Sequence, residues 1–365
     1  MSSSNAVVSM PVWRLCSLLA EDAMPATEIS ASKKSAHPLR VLLLGATGTI
    51  GLATVQALVQ RGHEVVCFVR SRPDAKRDLS ADSQFCALAG TTIRYGDPTD
   101  ASSLLNEGFA YERFDAVISC MASRTGSPRD AWRVDHQAHV HALQAAKAVG
   151  VQHFVLLSAI CVQKPLLAFQ HAKLAFEQEL RASGLRYSIV RPTAFFKSLS
   201  GQLERVKKGK PFLIFGNGTL TACKPISDND LGDFIAGCLD DPTRYNQILP
   251  IGGPGPAITP RQQGECLFQL LGQAPRFKSV PLGFLDGVIR VLSWLGKLIP
   301  AAADKAELAR IGRYYATESM LVWDALNNRY AAELTPSHGK QTLFEAYALW
   351  ASGQDAPDRG EHAVF

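Results

Sequence analysis

No stretch of this 365-residue chain reaches the ~18 consecutive apolar residues of a membrane-crossing helix. Charge of one sign is not concentrated either: 38 Lys and Arg against 33 Asp and Glu leave a formal net charge of +5. That balance suits anionic small molecules and falls short of the basic stripe of a nucleic-acid binder, so no nucleic-acid partner is expected. The eight cysteines include no Cys-x-x-Cys pair. Cys67, Cys120 and Cys161 lie in or beside apolar runs, which points to reduced core thiols and not to zinc or disulfides. His136, His139 and His141 cluster without the carboxylate–histidine spacing of a catalytic metal site, so no metal is expected. With 47% hydrophobic residues, the chain can bury a core that needs no staples.

Residues 1–39 differ from the rest. They are rich in Ser and Ala, with an apolar patch (Val12, Trp13, Leu15, Leu18) that Arg14 interrupts, followed by Glu21, Asp22 and Glu28. A secretory signal does not fit this pattern, and a plastid transit peptide is poorly supported by it; a start at Met24 is also open. The segment reads as a disordered extension outside the fold.

From Arg40 the pattern alternates. Short apolar runs at Val41–Leu44, Glu64–Val69, Thr91–Tyr95, Asp115–Ser119, His153–Leu157 and Arg186–Val190 read as strands. Helical periodicity fills Ile50–Gln60, Asp130–Ala148 and Leu167–Ala182. This rhythm predicts an α/β fold, a doubly wound parallel Rossmann-type sheet, with a smaller C-terminal substrate-facing helical region. The expected organisation is a nucleotide-binding domain over 40–192, an interleaved substrate-binding region over 193–350 and a tail over 351–365. Phe284–Ile299 is strongly apolar yet carries Asp286, Arg290 and Lys297. It reads as a packed or lid helix, or as one lying in a membrane surface or over a large hydrophobic ligand.

Gly45-Ala-Thr-Gly48-Thr-Ile-Gly51 sits between a predicted strand and a predicted helix. Glycine allows the tight turn, the approach of a pyrophosphate to bare backbone, and close helix–strand packing. The helix N-terminus offers free N–H groups and a positive dipole end. Gly45, Thr47, Gly48, Thr49, Ile50 and Gly51 are therefore the candidate cofactor loop. At the end of the second strand stands Arg70, with Arg72 after it and no acid before Asp74; a positive side chain there suits a 2′-phosphate, so NADPH is the expected cofactor. Asp97, after the third strand, is placed to border the adenine, or to act as a turn acid or helix cap.

The G-x-x-G-x-x-G spacing resembles the extended and atypical short-chain dehydrogenases/reductases. That resemblance implies a Tyr-x-x-x-Lys pair, in which tyrosine protonates the carbonyl oxygen and lysine holds the nicotinamide ribose. The matching segment here is Phe169-Gln-His-Ala-Lys173. Lysine is kept and the phenol is missing, while Ser158 matches the family's serine. The loss of the phenol argues against alcohol dehydrogenase chemistry. It is compatible with reduction of an activated carbon–carbon double bond, and with no catalysis at all. Lys173, Ser158 and His171 are the catalytic candidates; water, Lys173 and His171 are open as proton donors.

The blocks Leu156–Leu167, Arg191-Pro-Thr-Ala-Phe-Phe-Lys-Ser198, Lys224–Asp228, Leu249–Gly255 and Arg310–Ala316 resemble the divinyl chlorophyllide a 8-vinyl reductases. The likeness runs from about Arg40 to Trp350. It implies reduction by NADPH of the 8-vinyl group of a 3,8-divinyl chlorophyllide or protochlorophyllide, a step of chlorophyll or bacteriochlorophyll synthesis. The expected partner is thus a flat tetrapyrrole, with Phe169, Phe195, Phe196 and the 284–299 helix around it and Lys197 meeting a propionate. A different atypical reductase acting on a phenolic substrate, and a non-catalytic NADP-binding regulator, stay open. The weak N-terminal signal favours a bacterial cytoplasm, with peripheral membrane contact, over a chloroplast.

Overall fold

The computed structural model describes residues 37–70 and 88–354. The extension expected over 1–39 and the tail expected over 351–365 lie almost wholly outside the described residues, as do Arg72 and Asp74.

Seven parallel strands form the central sheet in the order β3-β2-β1-β4-β5-β6-β8. They are β1 (Arg40–Leu44), β2 (Glu64–Arg70), β3 (Thr92–Gly96), β4 (Ala116–Ser119), β5 (His153–Leu157), β6 (Arg186–Pro192) and β8 (Gln247–Ile251). The order reverses between β1 and β4, which places a crevice outside their carboxyl ends. β1, β4 and β5 are buried along nearly their whole length because helices cover both faces, which is why they read as unbroken apolar runs.

On one face lie α1 (Thr49–Gln60) and α4 (Asp228–Gly237). They meet so closely that a Cβ on Gly232 would fall 2.6 Å from the Ala53 carbonyl carbon. Val55, Leu58, Leu231 and Ile235 of this pair share one core with Leu43 and Ile118. The other face is covered by α2 (His139–Ala148) and α3 (Ala168–Ala182), whose Leu143 and Phe176 pack with Leu42, Val117 and Phe154. α2 is entered through a wide π-type turn, Trp132–Ala138.

β8 was not expected from the sequence, because Gly and Pro surround it and Pro250 lies inside it. It is an edge strand, where a missing N–H is tolerated. With α4, it returns the chain after residue 192 to the nucleotide-binding body.

A third core caps the carboxyl ends of β5 and β6. Ile160, Cys161 and Phe196 there meet Phe268 of α5 (Pro260–Leu270), Ile311 of α7 (Pro300–Thr317) and Tyr347 of α8 (Leu343–Ala351). A two-stranded sheet of β7 (Phe212–Phe215) and β9 (Phe277–Val280) lies against it, and β10 (Val322–Asp324) pairs with β11 (Arg329–Ala331) nearby. The apolar stretch expected as a helix over 284–299 is α6 (Leu282–Leu295), which turns at Gly296 into α7; a Cβ at Gly296 would lie 2.9 Å from the Ala303 Cα. No described helix is long and apolar enough to cross a membrane.

Candidate active site

The glycine loop connects β1 to α1, as its spacing predicts. Gly45 has φ +80°, and a Cβ there would lie 2.7 Å from the Cys120 carbonyl carbon. A Cβ on Gly51 would fall 2.1 Å from the Gly45 oxygen, so glycine at 51 is what lets the helix start against the turn. Gly48 caps α1, donating its own N–H to the Gly45 oxygen at 3.1 Å. α1 has no side-chain cap and no acid in its first turn. Its leading N–H groups and positive dipole end thus meet no acid of the helix's own first turn, which fits a dinucleotide pyrophosphate. The Ile50 side chain is packed in the core, so this residue offers a ligand only its backbone.

Arg70 ends β2 opposite Gly96, beside the Asp97 turn. Asp97 accepts the Thr99 backbone N–H and hydroxyl, each at 2.8 Å. Burial raises its pKa, but these bonds, with Arg133 and Arg70 near, hold it below the usual carboxylate range. It is a turn acid, and the helix cap is Asp100.

Lys173 points inward from α3. Its Nζ lies 3.0 Å from Asp135 Oδ1, and the two side chains are 9% and 0% exposed. Asp135 sits in the wide turn before α2 and also accepts the Ser123 N–H at 3.2 Å. Next to it, His139 bridges the Val134 carbonyl through Nδ1 at 2.9 Å and Ser119 Oγ through Nε2 at 2.9 Å. A carbonyl demands a donor, so Nδ1 carries the proton and Nε2 accepts from Ser119. Burial pushes the His139 pKa down to about 4, with Lys173 adding to the effect. His136 meets Glu179 at 2.7 Å, and His141 bonds Gln137 and the Thr99 carbonyl, so the three histidines face different partners.

The other expected site residues have the following surroundings. Ser158 donates its hydroxyl to Glu177 Oε1 at 2.5 Å, and Glu177 is also held by Arg191. The serine is thereby committed to a buried carboxylate and is not poised to donate to a substrate. His171 is exposed; two residues from Lys173 on a helix, it is turned about 200° away from that inward face. Phe196 is a member of the third core at 4% exposure, so its ring is no free wall for a macrocycle, while Phe195 is half-buried and packs against the core beneath α1 and α4. Lys197 reaches the cofactor loop: its Nζ donates to Thr49 Oγ1 at 3.2 Å.

Phe169 is the second residue of α3. It is half-buried at the start of α3, and its ring and Ile311 of α7 both approach Gly126. One turn beyond Ile311, the Tyr315 hydroxyl points at Cys161 Sγ, 4.0 Å away. Tyr314 instead donates to the Cys161 and Lys164 carbonyls at 2.9 and 3.1 Å, tying α7 to the loop after β5. Lys164 adds an ion pair to Glu318 at 2.8 Å and stacks over Trp323. Asp135, Glu177 and Tyr315 went unrecognised in the sequence; the i, i+4 spacing of Lys173 and Glu177 was the available sign that both face inward.

Comparison with known proteins gives the family and the fold. A family model described as NAD(P)H-binding matches residues 45–242. A maize (Zea mays) protein named divinyl chlorophyllide a 8-vinyl-reductase, chloroplastic, is 48% identical over 359 residues, covering 95% of this chain and 90% of its own length. Its namesake from Oryza sativa subsp. indica is 50% identical, covering 89% of this chain and 82% of its own. The chain belongs to the divinyl chlorophyllide a 8-vinyl reductase family. It is an NADPH-dependent oxidoreductase of the short-chain dehydrogenase/reductase superfamily. At the level of fold, this reductase resembles the binary complex of leucoanthocyanidin reductase and NADPH from Vitis vinifera, with a TM-score of 0.62 at 18% identity over 86% of this chain and 99% of that one.

Proposed function

We propose that this reductase converts the 8-vinyl group of a 3,8-divinyl (proto)chlorophyllide a to ethyl in the course of (bacterio)chlorophyll synthesis. The observation that carries the reading is the inner face of α3, where Lys173 is buried and ion-paired while the position of the usual phenol is Phe169. A site that keeps its cofactor lysine and lacks the carbonyl's proton donor suits reduction of a conjugated carbon–carbon double bond. NADPH supplies the hydride when bound. The loop Gly45–Gly51 presents backbone N–H groups to its pyrophosphate, with Thr47 and Thr49 beside them, and Arg70 meets its 2′-phosphate. Asp135 holds Lys173 in place against the nicotinamide ribose, and His139, neutral at physiological pH, stiffens the turn that carries Asp135. Phe169 and Ile311 offer an apolar border to a flat ring system.

The α6 helix has no buried residue. Phe284, Val291, Trp294 and Leu298 form one exposed stripe along and just beyond it, with Arg290 and Lys297 exposed beside them. An apolar stripe flanked by cations supports peripheral contact with an anionic membrane surface. The plant relatives are chloroplastic by name, which favours a plastid, the alternative location considered from the sequence, over a bacterial cytoplasm. Residues 40–192, with the returning α4 and β8, act as the nucleotide-binding unit, and the remainder of 193–350 faces the substrate.

The test is incubation of purified protein with NADPH and 3,8-divinyl chlorophyllide a in dim anaerobic light, followed by chromatography of the pigment. An 8-ethyl product is expected. Intact NADPH binding with no conversion of any divinyl pigment would replace this reading with that of an NADP-binding regulator.

A further inference from the structure

We infer that Lys197 belongs to the cofactor's phosphate site, beside the N-terminus of α1, and that Asp228 is the positioning residue that aims it. The placement comes from backbone pairing. Beyond β6 the chain continues as a parallel bridge between Phe195 and Ile226, with Ile226 N–H donating to the Ala194 oxygen at 3.0 Å and Phe196 N–H to the Ile226 oxygen at 3.3 Å. Residues 197 and 228, each two positions further on, therefore emerge together beyond the carboxyl edge of the sheet. α4 begins there, capped by Ser227 on the Asp230 N–H at 3.1 Å, and Gly232 locks it against Ala53 of α1. The first turns of the two helices are thereby held side by side, and Lys197 spans the gap to Thr49.

The charges at this point are unbalanced. The Lys197 amine donates to a neutral hydroxyl, at the first residue of a helix whose first turn holds no acid. Asp228 is close enough for the lysine's charge to be felt, yet its buried Oδ1 has no hydrogen-bond partner. Burial pushes its pKa up to about 6, with Lys197 pulling the other way. A lysine with a poorly solvated carboxyl group nearby and its amine at the N-terminus of a dinucleotide-binding helix is arranged to receive a pyrophosphate oxygen. A substrate carboxylate would have to enter the cofactor loop to reach the same amine. The assignment rests on the cofactor, and holds whichever pigment is the substrate.

The experiment is titration of NADPH into the wild type, Lys197→Met, Lys197→Arg and Asp228→Asn at low and high salt, read by the fluorescence of bound nicotinamide. Lys197→Met is expected to raise the NADPH Kd about ten- to hundredfold and to flatten its salt dependence, with Lys197→Arg within a few-fold of wild type. Asp228→Asn should weaken NADPH a few-fold alone and not at all in the Lys197→Met background, because it acts through the lysine. A Lys197→Met protein that binds NADPH with unchanged Kd and salt dependence would overturn the assignment. A raised KM for the carboxylated pigment in that variant would return the lysine to the substrate. Should Lys197→Met not fold, Lys197→Gln is read in the same way.

Discussion

Lys173 is the residue on which stability and cofactor binding can be separated. Its amine is 3.0 Å from Asp135, and the pair is almost completely withdrawn from water. Lys173→Met leaves Asp135 with the Ser123 N–H as its remaining bond and no cation. Removing one partner of a buried pair costs about 3–5 kcal/mol, and the surviving N–H bond places this case near 3. For a domain of this size that corresponds to a fall of roughly 6 °C in Tm. In the double variant Lys173→Met/Asp135→Asn the orphaned charge is gone while Ser123 keeps an acceptor, so about 2 kcal/mol should return. NADPH affinity should not return with it. The loss of a charged hydrogen bond to the ribose, about 1.5–3 kcal/mol, leaves both variants at least tenfold weaker than wild type. Urea unfolding without cofactor and NADPH titration read the two effects independently. A single variant that loses under 1 kcal/mol would refute the buried-pair argument, and a double variant that regains NADPH affinity would refute the ribose role.

Three other expectations follow from particular contacts. Arg70→Asp should invert the preference for NADPH over NADH, since a carboxylate at the end of β2 repels a 2′-phosphate and accepts a ribose hydroxyl; unchanged selectivity in paired kcat/KM measurements would remove Arg70 from that role. Stability should fall on acidification. His139 and His153 are buried and held down to about 4, so both are neutral in the fold and bind a proton when unfolded below the ordinary value of 6.5. Each then costs about 2 kcal/mol between pH 7 and pH 5, while Asp228, raised to about 6, returns about 1 kcal/mol over the same interval. Urea midpoints should drop accordingly, His153→Gln should lessen the drop, and a flat profile from pH 7 to pH 5 would contradict the assignment of neutral histidines. Trp294→Glu should release the protein from phosphatidylglycerol vesicles by tenfold or more in co-sedimentation, with NADPH binding unchanged. Unaltered vesicle binding with a raised pigment KM would make α6 a cover for substrate instead.

Much of the nucleotide-binding half was legible because its signals are local. Buried parallel strands are short apolar runs, and a glycine at 51 is required by a contact only six residues away, so both can be seen in a line of text. The site beyond the glycine loop depends on long-range pairing. Lys197 lies beside Thr49 of the glycine loop because Phe195 pairs with Ile226, a register the intervening residues do not disclose. Phe195 and Phe196 are adjacent aromatics without periodicity, and nothing local says that each enters a different core. Asp135 looks like any helix-surface acid until the wide turn rotates it towards Lys173. β8 was hidden by Pro250, whose cost vanishes at a sheet edge that only the completed topology defines. Ser158 matches a family position by residue type, but its hydroxyl is taken up by Glu177, a partner nineteen residues away.

The most direct test of the central claim follows the transferred atom. Protein is supplied with NADPH carrying deuterium at the transferable C4 position and with unlabelled 3,8-divinyl chlorophyllide a, and the product is examined by mass spectrometry and NMR. One deuterium per pigment, located in the new 8-ethyl group, is the predicted result. Formation of 8-ethyl pigment without the label, or oxidation of NADPH with the vinyl group intact, would contradict the account.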